Sequence, residues 1–175
     1  MGRIVADTTP IIYLAKVAQL HLLRSLYQDV VTPSEIKREL LVGGHPEVPL
    51  IRDAYRSGWL EEAPLDQPAK SFLTKQLGET PSLHEGERQA IALARTRELP
   101  LLIDEDGKTG RRIARVWGVE VKGTLRVILE AYEAGLVEYE EARKLFRKLL
   151  AERFRVSADI YDRALSLLET AKKIQ

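Results

Sequence analysis

Two aspartates stand at the ends of short hydrophobic runs, where folding could bring their carboxylates together. Asp7 follows the run at 4–6, and Asp104 follows the run at 101–103. If both runs are buried strands of one parallel sheet, both acids lie at its carboxyl edge, where open α/β sheets place their ligand sites. Acids from distant parts of the chain favour a hard metal ion bound through oxygen. A strand-end aspartate can equally well cap the turn that follows it.

Glu87 is a glutamate on the apolar face of a predicted helix. In the helix predicted over 82–97, it lies three, four and seven residues before Ala90, Ile91 and Ala94. These spacings place all four residues on one helical face, directed toward the sheet. A carboxylate is costly to bury without a partner, and the spacing offers Glu87 no structural role. The pattern therefore favours a functional role for Glu87 over a solvated residue at the edge of the apolar face.

The other helical acids have simpler explanations. Glu85 closes a capping box that begins at Ser82, and Glu35 closes another that begins at Thr32. Glu39 lies near the buried edge of the helix that follows Thr32, and its position alone indicates an ordinary surface residue. It nevertheless stands on an element that could reach the same edge of the sheet.

Taken together, four acids could converge at one end of the sheet: Asp7, Glu39, Glu87 and Asp104. Each close pair of bare carboxylates would repel by roughly 1–4 kcal/mol at protein-surface dielectric, and a divalent cation reverses that sign. Thr9 would add a hydroxyl and Asp106 a further carboxylate. With one or two ions, such a site activates water and stabilises an in-line phosphoryl displacement.

A basic stretch adjoins the second aspartate. Only one acid, Glu120, interrupts six basic side chains between 108 and 126, namely Lys108, Arg111, Arg112, Arg115, Lys122 and Arg126. A solvated helix face is the commoner meaning of such a run. Beside an acidic metal site, however, a positive stripe suits a polyanionic phosphate backbone, so the pattern favours a nucleic-acid partner.

These residues need a scaffold in which strands alternate with helices. Periodicity predicts strands at 3–7, 29–32, 59–63, 101–104 and 119–121. It predicts helices at 10–26 with a break near Gln19, and at 32–43, 50–57, 82–97, 109–117, 123–134, 138–152 and 157–173. The alternation implies a parallel sheet with helices on both faces. The irregular, proline-rich segment 44–81 is predicted to be a peripheral flap or insertion.

Length and composition narrow the class of protein. The 175 residues predict a single domain over 1–175, with an α/β core at 3–134 and C-terminal helices at 138–173. The absence of cysteine and of any HExxH spacing leaves oxygen ligands for a metal, which suit Mg²⁺, Mn²⁺ or Ca²⁺. A net charge of +1 does not by itself announce a nucleic-acid partner. With no signal peptide and no apolar stretch of membrane-spanning length, we expect a soluble cytoplasmic protein.

Six short motifs follow one another along the chain: VADTTPIIYLA at 5–15, TPSEIKREL at 32–40, GERQAIALA at 86–94, LIDE at 102–105, GRRIA at 110–114 and KGTL at 122–125. In that order they resemble the PIN domain, in a prokaryotic branch close to the toxin ribonucleases of type II toxin–antitoxin pairs. The similarity spans roughly 3–170. Each motif alone is weak, whereas their order is fairly specific.

The resemblance implies a three-layer α/β/α sandwich around a parallel sheet of about five strands, here with extra C-terminal helices. It implies a ribonuclease that depends on Mg²⁺ or Mn²⁺. Asp7, Glu39, Glu87 and Asp104 match the catalytic acids, and Thr9 matches the hydroxyl after the first. Typical toxin members carry Thr-x-Asp after the fourth strand, whereas Asp104-Glu105-Asp106 offers a choice of acid here. Asp104 fits this branch better, and Asp106 could share or replace its role.

The resulting hypothesis is an endoribonuclease in which Lys108, Arg111, Arg112 and Arg115 position the RNA backbone. A toxin role would add an antitoxin protein as partner. The C-terminal helices could support a homodimer or meet that partner, and the sequence does not decide between them. A non-catalytic PIN-like module that binds RNA or protein is the alternative. A haloacid-dehalogenase-type phosphatase is disfavoured because Thr9 stands where its second aspartate belongs.

Overall fold

The computed structural model describes residues 2–78, 80, 82–104 and 108–174, without the side chains of Lys108 and Ile174. The predicted metal ligand Asp106 therefore lies outside the described residues. The side chain of Lys108, predicted to bind nucleic acid, lies outside them as well.

Five short strands form one parallel sheet in the order β3-β2-β1-β4-β5. They are β1 Ile4–Ala6, β2 Val30–Thr32, β3 Leu60–Glu62, β4 Leu101–Leu102 and β5 Val121–Lys122. The central strands β1, β2 and β4 are buried throughout, as expected of a parallel sheet covered on both faces. The predicted three-layer α/β/α sandwich is confirmed.

Helices connect and follow the strands. They are α1 Thr8–Lys16, α2 His21–Leu26, α3 Ser34–Leu41, α4 Val48–Arg56, α5 Gln67–Phe72, α6 Glu85–Thr96, α7 Lys108–Val116, α8 Thr124–Glu133, α9 Tyr139–Ala151 and α10 Ala158–Ile174. A π-helical turn at Leu73–Leu77 extends α5. Within the described residues, no helix is long and apolar enough to cross a membrane.

The chain changes direction across the sheet beside its central strand. From β1 it moves outward through β2 to β3, and it then returns to pair β4 with the other side of β1. Because parallel crossovers are right-handed, this reversal places α6 and α7 on the face opposite α1 and α2. Ligand sites of open α/β sheets lie at such a reversal, outside the carboxyl ends of the strands. Here those ends are followed by Asp7 and Asp104.

The helix predicted over 10–26 is two helices, and the break expected near Gln19 is confirmed. Helix α1 ends at Lys16, and Ala18 adopts a left-handed backbone with φ of 59°. Left-handed residues are common just after the last turn of a helix, where they let the chain leave it. Helix α2 then resumes at His21, so the chain bends before β2.

The prediction that 44–81 forms a peripheral flap is wrong for its middle part. The strand predicted at 59–63 exists as β3, whose buried Leu60 pairs with Val30 as the edge of the sheet. Helix α5, which was not predicted, packs against α6. Its start carries a readable signal, because the Asp66 side chain accepts a hydrogen bond from the Ala69 backbone at 3.0 Å.

The N-cap predicted at Thr32 is also wrong. Helix α3 begins at Ser34, after Pro33, and Thr32 remains the last residue of β2. The Thr32 hydroxyl instead lies 2.6 Å from the Tyr55 hydroxyl. Glu35 pairs with Arg38 one turn along α3 rather than closing a capping box.

The C-terminal helices pack beside α8, with α9 and α10 both contacting it. Phe146 and Leu149 of α9 and Leu168 of α10 are fully buried in the same core as the sheet. The predicted extra helices therefore cover the β5 side of the molecule, next to the carboxyl edge that bears Asp104.

Candidate active site at the carboxyl edge of the sheet

Asp7 lies at the centre of the acidic edge. It follows β1 directly, precedes α1, and is only 7% exposed. Its backbone N–H donates to the Leu102 carbonyl at 2.9 Å, which joins the end of the central strand to the end of β4. The two strand-end aspartates therefore lie at the same edge of one sheet, as the sequence predicted, and the structure adds that their strands are neighbours.

The environment of Asp7 disfavours its charged form. Its pKa is raised from 3.8 to about 8, and burial is the largest cause. The Thr8 backbone hydrogen bond lowers the pKa, whereas the charges of Glu87, Glu39 and Asp104 raise it further. The other three predicted acids are thus near enough to act on Asp7, and the fold brings all four to one region.

Asp104 is the most enclosed of the four acids, at 4% exposure. One carboxylate oxygen accepts the Thr124 backbone N–H at 2.8 Å, and the other accepts the Thr124 hydroxyl at 2.6 Å. Thr124 opens α8, so Asp104 also meets the positive end of that helix dipole. The capping role that sequence reasoning left open is therefore real. A carboxylate has about four lone-pair sites, so a helix-capping role does not by itself exclude a ligand role.

Glu87 has a structural role that sequence reasoning denied it. Helix α6 begins at Glu85 with His84 as N-cap, and the His84 backbone N–H donates to Glu87 Oε2 at 3.1 Å. The predicted capping box from Ser82 to Glu85 is wrong, because Glu85 instead accepts hydrogen bonds from Arg88 and Gln89. Only one oxygen of Glu87 serves the cap, which leaves Oε1 for other contacts.

Glu39 reaches the site through a residue that the sequence did not single out. The Thr8 hydroxyl donates to Glu39 Oε2 at 2.6 Å, joining α3 to the residue after Asp7. The predicted hydroxyl ligand was Thr9, which makes no such bond among the described residues. Thr8 was missed although it belongs to the same motif, because spacing alone cannot tell which of two adjacent threonines bonds to Glu39.

Three glycines make room for the acids, and sequence reasoning missed them as well. A Cβ added at Gly86 would lie 2.9 Å from Glu39 Oε1, and one at Gly123 would lie 3.0 Å from Asp104 Oδ1. A Cβ at Gly110 would lie 3.3 Å from Glu87 Oε1. None of the three has a positive φ, so close approach explains them better than backbone freedom. The sequence offered one signal for these glycines, since each lies within a motif and directly beside an acid or a basic residue.

The basic residues predicted to bind nucleic acid approach the same edge through α7. The Arg111 guanidinium donates to the Ile103 carbonyl at 2.5 Å, one residue before Asp104. Arg112 and Arg115 are exposed on α7, and Arg115 lines a cavity together with Asp104. The predicted neighbourhood of acids and cations is therefore present around Asp104, Arg111 and Arg115.

The donor chemistry of the edge fits a hard divalent cation. The four acids offer carboxylate oxygens, and their mutual repulsion at Asp7 is what a cation would relieve. Among the described residues, no group of three or more Asp, Glu, His or Cys is placed to hold an ion. Mg²⁺ is usually held by one or two carboxylates together with waters and substrate phosphates, so it does not require three protein ligands.

Comparison with known proteins gives one match. A family model for a PIN domain matches residues 3–170, which is nearly the whole chain. No curated protein and no solved structure shows a significant match.

Proposed function

The chain belongs to the PIN-domain family, whose members are generally nucleases, and we propose that it is a metal-dependent endoribonuclease. The observation that carries the proposal is the burial and raised pKa of Asp7. A nearly buried carboxylate at a topological switch point, near three further acids, is unfavourable for folding. Its presence therefore favours a functional role.

In this proposal, the four acids divide the work. Asp7 and Asp104 come from the ends of adjacent strands and would hold one or two Mg²⁺ or Mn²⁺ ions. Asp106 and Thr9 remain predicted additional ligands. When bound, the metal supplies the chemistry of lowering the pKa of a water and neutralising charge on the phosphate. The oxygens of Glu39 and Glu87 that no described bond uses are available to orient the attacking water and accept its proton.

The neighbouring cations would position the substrate. Arg111 is anchored to the Ile103 carbonyl and so holds a positive charge beside Asp104. Arg112 and Arg115 extend this charge along α7, and Lys108 is predicted to do the same. Contacts from such side chains to phosphate fix the register of a strand without reading its bases. We therefore propose RNA phosphodiesters as the substrate class.

We further propose a toxin of a toxin–antitoxin pair as the biological setting. The support is the resemblance of the ordered motifs to that prokaryotic branch. An antitoxin protein would then be a partner, and a homodimer through the C-terminal helices is a second proposed assembly.

One observation favours the rival role of a non-catalytic module that binds RNA or protein. Asp104 and Glu87 already serve as helix caps, so part of the acidic set could be retained for folding alone. This rival predicts binding without turnover. The nuclease proposal predicts cleavage that needs both the metal and the acids.

A cleavage assay separates the two functions. Single-stranded and structured RNAs would be incubated with Mg²⁺, Mn²⁺ or EDTA, using wild type, Asp7→Asn and Glu39→Gln. Glu35→Gln is the matched control, since Glu35 lies one turn away on α3 and pairs with Arg38. We expect cleavage with either metal in wild type and in Glu35→Gln, and loss of cleavage in the other two variants. Cleavage that survives EDTA and Asp7→Asn would refute the metal mechanism, and binding without any cleavage would establish the rival module.

A further inference from the structure

A groove lies beside the acidic edge, between α8 and the C-terminal helix α10, and is called the C-terminal groove below. Its cavity has a volume of about 330 Å³. The floor is apolar and comes from α8, the α9–α10 connection and α10, with Leu125, Leu129, Phe154, Ile160 and Leu167 among its residues. Such a volume lies at the lower end of the range for small-ligand pockets. It admits a nucleotide-sized group and is too small for a double helix.

The rim of the C-terminal groove is positively charged. Six cations line it, namely Arg111, Arg115, Lys122, Arg126, Arg155 and Arg163, against one carboxylate, Asp104. Lys122 and Arg126 already have acidic partners, since both pair with Glu130, Lys122 also pairs with Glu120, and Arg126 also pairs with Glu133. Within the part of the chain that the structure describes, no ion pair is formed by Arg115, Arg155 or Arg163, and all three are exposed. The groove therefore keeps a net positive charge that internal pairing does not explain.

The groove is continuous with the candidate active site. Asp104 and Arg111 line both, and Gly123 lies between their side chains. A polyanion bound along the rim would therefore extend directly to the four acids. A polymer with regularly spaced negative charges and flat apolar groups matches a groove that combines arginines with an apolar floor. An acidic protein segment would match the charge, but continuity with the acidic edge favours the chain that is to be cut.

We propose that the C-terminal groove binds single-stranded RNA next to the scissile phosphate, with phosphates on Arg155 and Arg163 and an unpaired base on the apolar floor. This inference rests on the proposed nuclease function. It adds that the RNA is single-stranded where it lies in the groove. In a duplex the bases are stacked and paired, so only a single strand can present a base to the floor. The C-terminal helices then complete the substrate path rather than serving only as a cover for the core.

The charge contribution can be measured without catalysis. A fluorescent single-stranded RNA of about 12 nucleotides, within the range of known single-strand sites, would be titrated in EDTA by anisotropy at several salt concentrations. Arg155→Gln combined with Arg163→Gln should reduce the slope of log affinity against log salt by about 1.4, since each phosphate contact contributes about 0.7 for single strands. The matched control is Arg52→Gln with Arg147→Gln, two exposed arginines outside the groove, which should leave the slope unchanged.

The apolar floor has its own matched pair of variants. Leu167 on the floor is 45% exposed, and Leu150 on α9 is 42% exposed but lies outside the groove. We expect Leu167→Ser to weaken single-strand binding by about 3- to 10-fold, because base contacts contribute measurably to single-strand affinity. Leu150→Ser should have no such effect. The annealed duplex should bind wild type more weakly, and its binding should not respond to Leu167→Ser. Thermal melts of all variants would verify that the fold is intact.

The outcomes distinguish this inference from the nuclease proposal. An unchanged salt slope in the double variant, or equal affinity for single strand and duplex, would overturn the groove assignment and leave the nuclease untouched. If the double variant binds RNA as wild type does but no longer binds a co-expressed acidic protein, the groove is a protein-docking site. That result would also overturn the groove assignment. Conversely, a groove that binds single strands in EDTA, in a protein that cleaves no RNA with metal, supports the groove and refutes the nuclease.

Discussion

Two buried carboxylates of this chain lie in opposite electrostatic environments. Asp7 is 7% exposed and Glu130 is 5% exposed, so each has lost most of its hydration. Burial raises the pKa of Glu130, but hydrogen bonds from Tyr27, Lys122 and Arg126 outweigh it and hold that pKa below the usual range. At Asp7, burial and the three neighbouring acids together raise the pKa to about 8. Two cations accompany Glu130, whereas acids surround Asp7.

The difference separates a structural carboxylate from a candidate functional one. Glu130 ties α8 to β5 and to Tyr27, so its charge is compensated within the fold. A carboxylate that is already paired with cations of the fold needs no bound ion, although its removal would leave those cations unpaired. Among the described residues Asp7 forms no ion pair, so a bound cation would compensate its charge.

The first prediction compares the two acids in RNA cleavage. Asp7→Asn should reduce the metal-dependent rate by about 10²-fold or more, because it removes a proposed metal-holding carboxylate and a bound metal contributes several kcal/mol of charge stabilisation. Glu130→Gln should leave the rate within about 3-fold, since Glu130 faces its own ion pairs. Initial rates at saturating Mn²⁺ would measure both. Equal losses in the two variants would show that the cleavage defect reflects stability and that the contrast is not functional.

The second prediction concerns pH and uses the opposite signs of the two pKa shifts. Between about pH 4 and pH 8 folded Asp7 holds a proton that the unfolded chain has released, so stability falls as pH rises. We expect wild type to lose up to about 1.4 kcal/mol per pH unit relative to Asp7→Asn in that window, without metal. The depressed pKa of Glu130 acts the other way, and its contribution is lost as pH falls.

Urea unfolding in EDTA at several pH values, for wild type and Asp7→Asn, measures that difference. Subtracting the variant cancels the contributions of the other groups. Added Mn²⁺ should raise the melting temperature of wild type more at pH 8 than at pH 5, because only the ionised carboxyl binds metal. A pH-independent difference between the two proteins would contradict the assignment.

The third prediction concerns the removal of the Glu130 charge from its buried ion pairs. Glu130→Gln should lower the free energy of unfolding by about 3 kcal/mol, because it leaves Lys122 and Arg126 without their buried partner. For a chain of this length that corresponds to a fall of about 6–12 °C in melting temperature. Glu133→Gln is the control, since Glu133 pairs with the same Arg126 at the surface, and it should cost less than about 1 kcal/mol. A larger loss in Glu133→Gln than in Glu130→Gln would reverse the ranking.

The fourth prediction moves an acid without removing its charge. Gly86→Ala places a methyl group 2.9 Å from Glu39 Oε1, and the flexible side chain must give way. We expect nearly unchanged stability and a loss of about 10-fold in cleavage, since small displacements of catalytic groups are costly. Gly44→Ala, where an added methyl meets nothing within 4 Å, should leave cleavage unchanged. Full activity in Gly86→Ala would show that Glu39 is not held in a required position.

Sequence reasoning reached the fold because its patterns are local. The continuous apolar runs that end at Asp7 and Asp104 identified buried strands, and the broken period near Gln19 identified the turn between α1 and α2. Helix starts were less readable, since several polar residues compete for one cap. The capping boxes at Thr32 and Ser82 were wrong for that reason, and the error misassigned Glu85 and Glu87.

The chain by itself determined which acids could meet, because strand ends and helical spacing decide the edge and face on which a side chain lies. Only the tertiary structure decided which charged groups surround each acid. Asp7 stands among like charges while Glu130 stands among cations, and both facts depend on contacts between residues far apart in sequence. The C-terminal groove has the same origin, since α8 and α10 come together only in the folded core. Local pattern determines position, whereas burial and partners, which set the free energy of a charge, arise from packing.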